Sequence, residues 1–256
     1  MQGQLSDMSL KFLKFFLFFI LLFLAGLPLE CQQRDRFVFT VMKYDGGWDP
    51  YPFIYADILS FLKTTTSIKA EPSRRTVSIK DELLFSSPFV IMTNNGSFNG
   101  WTDEEREIIK KYLENGGLMF IEDSSGEKNS RFNTQIRMEF KKVFPKNEFG
   151  IISKDHAIFR SFYLLRAMSG RAIVNNYIEG MDIDGRTAVI YSQNDVLGSW
   201  ARDMFGNYFL PCTPGGESQR FESQKLTINM IVFSLTGTYK TDFIHRPFIR
   251  RKLEYR

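Results

Sequence analysis

Thr102-Asp-Glu-Glu-Arg-Glu-Ile-Ile-Lys-Lys-Tyr-Leu-Glu-Asn-Gly-Gly-Leu-Met-Phe-Ile-Glu-Asp123 sets one helix directly before one buried strand. Thr102 and Glu105 have the spacing of a capping box, in which the threonine oxygen accepts the amide of the third helical residue and the glutamate reaches back to the cap. Ile108, Ile109, Tyr112 and Leu113 fall on one helical face, and Asn115-Gly116-Gly117 stops the helix. Leu118-Met-Phe-Ile-Glu122 follows at once. It is a short apolar run without polar alternation, as expected of a parallel strand covered on both faces.

The same alternation extends in both directions. Phe37-Val-Phe-Thr-Val-Met-Lys43 is a β-rich run that ends in Tyr44-Asp-Gly-Gly-Trp48. Asp49 as N-cap and Pro50 at the first helical position then predict a helix start, with Ile54, Ile58 and Leu62 as its buried stripe. Thr76 to Ile79 reads as a short strand and Phe89-Val-Ile-Met-Thr93 as a continuous buried one. A helical segment over Arg131 to Val143 ends before Pro145, and Thr187-Ala-Val-Ile-Tyr191 is a further buried strand. Asn194 or Asp195 is placed to cap a helix containing Trp200. The last helix runs from Ser223 to Leu235, with Leu226, Met230 and Phe233 on one side. Strands alternating with helices predict an α/β domain with a doubly wound, mostly parallel sheet and helices on both faces.

Composition agrees with a folded domain of ordinary size. The chain has 256 residues, 43% hydrophobic and 24% charged, with a formal net charge of +4. That balance excludes a disordered chain, and the 26 phenylalanines are spread through core periods rather than gathered in a stacking motif for bases. The tail from His245 to Arg256 is basic, but a short basic terminus is normally solvated, so no nucleic-acid partner is expected. Lys11 and Lys14 precede an apolar run from Phe15 to Leu24, followed by Ala25, Gly26 and Pro28. This order predicts a secretory signal peptide over residues 1–30. Counted through Leu29, the run approaches the roughly twenty residues of an uncleaved anchor. Met8 is the tidier start. Cys31 stands where a lipidated cysteine would stand, although Glu30 before it is larger than that chemistry prefers. The only other cysteine is Cys212, and the pair has neither metal-site nor C-x-x-C spacing. The expected organisation is a leader or anchor over residues 1–30, an α/β domain over 36–244 and a basic tail over 245–256. The expected location is the periplasm or cell envelope.

Tyr44-Asp-Gly-Gly-Trp48, the Thr102–Asp123 stretch, Lys154-Asp-His-Ala-Ile-Phe159 and Ala188-Val-Ile-Tyr-Ser-Gln-Asn-Asp195 with Trp200 after it together resemble the bacterial domain of unknown function 4159 family. The resemblance runs from Arg36 to the C-terminus. It implies a class I glutamine-amidotransferase-like, flavodoxin-like fold and an envelope setting, because some relatives carry membrane-spanning or von Willebrand-type segments. It implies a fold and not an activity. In active amidotransferases of that fold, a cysteine nucleophile follows the strand entered by a Gly-Gly turn. Here that turn leads to Glu122 and Asp123, which cannot act as thiolates. Cys212 lies in another context, and neither His156 nor His245 completes a site. Glutaminase chemistry is not expected.

Ligands of open α/β sheets gather outside the carboxyl ends of the strands. Those ends carry Tyr44, Asp45 and Trp48; Asn94, Asn95 and Gly96; Glu122, Asp123 and Ser124; and Ser192, Asn194 and Asp195. Convergence of these groups would make a polar crevice for a polyhydroxylated ligand or an oxygen-bound cation. Asp and Asn also gather where strands become loops, because they cap helices and close Asx-turns. Each therefore has a structural reading beside its ligand reading. Asp123 is the first candidate contact, and Asp155-His156 is a candidate base with its orienting carboxylate. No G-x-S-x-G elbow, Walker loop, H-E-x-x-H or dinucleotide fingerprint is present, so neither a cofactor nor a resident metal is expected. Three functions follow. The first is a non-catalytic module binding a small polar ligand or an envelope protein. The second is a hydrolase using Asp123 with Asp45 or Asp195. The third is a structural partner of a membrane assembly.

Overall fold

Seven strands form one sheet in the order β2-β1-β3-β4-β7-β6-β5. The computed structural model describes residues 36–236. The segment read as a leader, Cys31 and the basic tail with His245 lie outside the described residues. The strands are β1 (Thr40–Met42), β2 (Arg75–Val77), β3 (Phe89–Asn94), β4 (Leu118–Asp123), β5 (Gly150–Ile151), β6 (Glu179–Ile183) and β7 (Arg186–Ser192). The helices are α1 (Ile54–Thr65), α2 (Asp103–Glu114), α3 (Arg131–Val143) and α4 (Gly216–Thr236). From β2 to β7 every pairing is parallel. The β7–β6 and β6–β5 pairings are antiparallel. The order β2-β1-β3-β4-β7 is the 2-1-3-4-5 sequence of a doubly wound sheet, whose direction reverses between β1 and β3.

Each face has its own core. On one, Ile54, Ile58 and Leu62 of α1 and Leu226, Met230 and Phe233 of α4 cover Phe39, Val41, Ile91 and Phe120. On the other, Ile109, Tyr112 and Leu113 of α2 and Phe132, Ile136 and Phe140 of α3 cover Met42, Val90, Met92, Met119 and Ile121. Full burial of each aliphatic or aromatic side chain stabilises by about 1.5–3 kcal/mol, which accounts for the continuous apolar runs of β3 and β4. Among the described residues, no helix is long and apolar enough to cross a membrane.

Thr102 and Glu105 form the expected capping box, and α2 stops at Asn115. Helix α1 departs from expectation. It begins at Ile54 behind Phe53, which supplies no side-chain cap. Asp49 instead holds the Arg74 guanidinium in two hydrogen bonds of 2.6 and 2.5 Å. A bidentate charge-assisted pair outcompetes a single cap bond, so Asp49 ties the β1–α1 loop to the end of the β1–β2 connection. The predicted helix around Trp200 is a short 3-10 turn, Leu197–Trp200. Helix α4 starts at Gly216, seven residues before the expected Ser223.

Candidate functional site

Successive residues of a strand face opposite sides of the sheet, and this decides what the strand-end acids can do. Leu118 and Phe120 of β4 pack in the α1–α4 core, and Met119 and Ile121 in the α2–α3 core. Glu122 therefore points to the first side and Asp123 to the second. The strand-end groups divide into two sets instead of converging on one crevice.

Glu122 and Asp195 meet on the α1–α4 side, both fully buried. Glu122 accepts the amides of Val196 and Leu197, the latter at 2.9 Å, and so serves as the cap of the Leu197–Trp200 turn. Asp195 stands in the left-handed region at φ 53°, a conformation Asp tolerates better than most residues. Its Oδ1 accepts the Gly198 amide at 3.2 Å. Its Oδ2 accepts the Tyr51 hydroxyl at 2.8 Å and Nε of Arg171. Burial, and then the charge of Asp195, push Glu122 well above the usual carboxylate range, while the two amides pull it back. Burial likewise raises Asp195, and the Arg171 ion pair opposes that rise. Burial and the Asp195 charge also raise the Tyr51 phenol, so Tyr51 is a neutral donor here. Sequence reasoning missed Tyr51 and Arg171. Arg171 lies in an aperiodic loop behind an isolated glycine, with no local signal to mark it.

Asp123 is also fully buried. Its Oδ1 accepts the Ser125 amide at 3.0 Å, and its Oδ2 accepts the hydroxyl of Ser130. Ser130 in turn caps α3 by accepting the Asn133 amide at 2.9 Å. Asp123 thus orients a helix cap. Asp123→Asn retains an acceptor for Ser125, and the Ser130 hydroxyl can turn to accept from the new amide. We expect it to change stability by less than about 1 kcal/mol, and Asp123→Ala to cost about 1–3 kcal/mol through orphaned donors. Urea unfolding of both variants measures this. Equal losses would show that the charge of Asp123, not its geometry, is what the fold uses.

Tyr44 and Asn94 lie on the side of Asp123. The Tyr44 hydroxyl donates to the Thr93 carbonyl at 2.7 Å and accepts Nδ2 of Asn94 at 2.6 Å. Asn94 Nδ2 also donates to the Ser97 carbonyl, and its Oδ1 accepts the Gly96 amide. Backbone bonds from Gly47 to Ser97 and from Asn95 to Gly47 then close the β1–α1 loop onto the β3–α2 loop over the point where the sheet reverses direction. Glycine is required for that approach. A Cβ on Gly46 would lie 2.0 Å from the Ser97 carbonyl oxygen, at φ +150°. Ser192 accepts the Asn194 amide at 3.0 Å.

Beside this closure lies an open groove of about 980 Å³, lined by Lys43, Tyr44, Asp45 and Trp48 with Ser78–Lys80, Phe98–Thr102 and Glu105. Asp45 is exposed. Lys43 stands 6.0 Å above the Trp48 ring, and Lys80 is paired with Glu104. Trp101 is buried, and its indole N–H has no partner among the described residues.

His156 is half-buried near the opposite ends of the strands, beside Leu118, Arg186 and Thr187. Its Nδ1 accepts the Ile158 amide at 3.2 Å, so Nε2 carries the proton and faces Thr187 Oγ1 at 3.2 Å. Thr187 donates onward to Asp182 at 2.6 Å. The carboxylate linked to His156 is therefore Asp182, through a threonine, while the Asp155 carbonyl takes Arg160. His156 is remote from the strand-end acids.

No group of three or more His, Cys, Asp or Glu side chains among the described residues is placed to hold a metal ion. The family model for the domain of unknown function DUF4159 matches residues 38–235, almost the whole span of the sheet and its helices. The chain belongs to the DUF4159 family. Among curated proteins, none matches it. In this DUF4159 domain the buried acids and the open groove occupy different places, and kinship alone assigns no reaction to either.

Proposed function

We propose that this DUF4159 domain is an exported, non-catalytic binding module on an amidotransferase-like, flavodoxin-like scaffold, and that its groove takes a polyhydroxylated ligand. One observation carries the reading: Glu122, Asp123 and Asp195 are all fully buried and all occupied by protein donors. An acid–base catalyst needs a carboxylate within reach of the proton it moves, and these three are enclosed. Burial raises the Cys212 thiol, which lowers the thiolate fraction a nucleophile needs. The groove offers aromatic surface at Tyr44 and Trp48 beside an exposed acid at Asp45. Aromatic faces with a few polar anchors suit a sugar ring better than an apolar ligand. The 2-1-3-4-5 strand order supports the scaffold, and the run of Lys11, Lys14 and Phe15–Leu24 supports export.

A thermal-shift and calorimetry screen of neutral oligosaccharides and soluble envelope glycans tests the binding, since a bound ligand raises apparent stability by mass action. We expect at least one to bind, and Asp45→Ala to weaken it at least tenfold without changing the unliganded melting point. Failure of the whole panel, or undiminished binding by Asp45→Ala, overturns the groove assignment. Cleavage of the bound glycan would replace the module with a hydrolase. N-terminal sequencing of native protein tests export, and an intact Phe15–Leu24 segment on soluble cytoplasmic protein would end that part.

A further inference from the structure

The Asp195 side of β4 holds a second polar arrangement, away from the groove. The loop carrying Arg171 is fixed on every side. The Arg171 amide donates to the Asp195 carbonyl at 2.9 Å and the Ala172 amide to the Asn194 carbonyl at 3.1 Å. Ser223 Oγ accepts the Gly170 amide at 2.6 Å, and Gln219 donates to the Gly170 and Arg171 carbonyls. Asn194 holds the next stretch by accepting the amides of Val174 and Asn175. The Arg171 side chain is then oriented from Nε by Asp195, with the Tyr51 hydroxyl bonded beside it.

Those two contacts still leave donors of the guanidinium for something else. Tyr51 lies against one part of the group, and no other side chain among the described residues hydrogen-bonds its outer edge. The side chain is 21% exposed, whereas Asp195 is 0% exposed. Gly126, in the β4–α3 loop, faces this edge at φ +72°, and a Cβ there would lie 3.2 Å from Nη2. A side chain there would crowd Nη2. A buried ion pair is weak evidence of a gain in stability, because well-packed apolar replacements are often as stable. A guanidinium locked by a buried carboxylate, and itself partly exposed, is instead suited to bidentate recognition of an oxyanion. Locking removes rotamer entropy that an arginine would otherwise lose on binding.

We propose that the outer edge of Arg171 is an oxyanion seat, taking a carboxylate or phosphate group of a ligand at the carboxyl ends of β4 and β7. Asp195 already shares the charge, so a bare anion binds weakly, and the rest of the ligand supplies further affinity. The test is a titration of the folded domain followed by proton–nitrogen correlation spectra, with inorganic phosphate in one arm and acetate in the other, against chloride at equal ionic strength. We expect the Arg171 Nε–H and the Gly126 and Ala172 amides to move together and saturate in the millimolar range in at least one arm. The arm that saturates identifies the anion class. Gly126→Asn, which tolerates a positive φ, should cover the edge and weaken binding at least tenfold. Arg171→Lys keeps the charge, loses the fork and should weaken it at least fivefold. No saturable movement in either arm overturns the proposal, as does binding by the variants within twofold of the native chain. If one variant fails to fold, the other decides by the same criterion.

Discussion

Replacing Asp195 by alanine is expected to destabilise the domain by about 3–5 kcal/mol, the range for removing one partner of a buried ion pair. Arg171 loses its anchor, the Tyr51 hydroxyl and Gly198 amide lose their acceptor, and alanine must occupy φ 53°. Because Arg171 reaches solvent, the loss should fall toward the lower half of the range. Asp195→Asn keeps an acceptor and tolerates the backbone, so it should cost about half as much. The measurement is the urea midpoint at unchanged m-value. A loss below about 1 kcal/mol for the alanine variant would mean that the network behaves like a surface pair.

Glu122 gives the second large effect and a sign with pH. In Glu122→Ala, the amides of Val196 and Leu197 lose their acceptor in a fully buried site, at about 1–3 kcal/mol each. In the native chain, the folded state raises Glu122 above its unfolded value of about 4.3. A raised acid binds its proton more tightly when folded. Its contribution is therefore complete below the unfolded value and is lost as pH climbs through the higher native one. Glu122→Gln does not titrate, so the stability difference between native chain and variant should fall as pH rises through that window. Taking the difference cancels the titrating groups that Glu122 does not touch, while Asp195, whose charge acts on Glu122, titrates as part of the measured change. A difference that is flat with pH would show that Glu122 is not raised on folding.

The parts legible in the sequence are those governed by local chemistry. Thr102, Glu105 and the Gly116-Gly117 stop specify α2 within a few residues, and the apolar runs of β3 and β4 demand cover on both sides. Arg131–Val143 is bounded by its own cap and by the proline that follows. Elsewhere, distant partners overrode local preference. Asp49 has the spacing of an N-cap, but Arg74, twenty-five residues on, holds it more strongly. Strands β5 and β6 were missed because Gly150–Ile151 is too short to show a pattern, and Glu179-Gly-Met-Asp-Ile183 mixes polar residues with a β-bulge. The early start of α4 is hidden because its first turns bury polar residues such as Gln219, Arg220 and Ser223. At the strand ends, residue types were readable and partnerships were not. Nothing near Asp195 in sequence points to Tyr51 or Arg171.

The two borders of the sheet have a consequence for how the domain can assemble. β2 offers three residues and β5 only two, so the ladder ends in stubs of roughly 7–10 Å at 3.3 Å per residue. A foreign strand laid against either would gain only a few backbone bonds before running past the end. Such borders are poor templates for β-augmentation and for edge-to-edge aggregation. Judged by the edges among the described residues, a protein that recognises this domain is expected to read side chains on its faces and loops more than a shared backbone ladder.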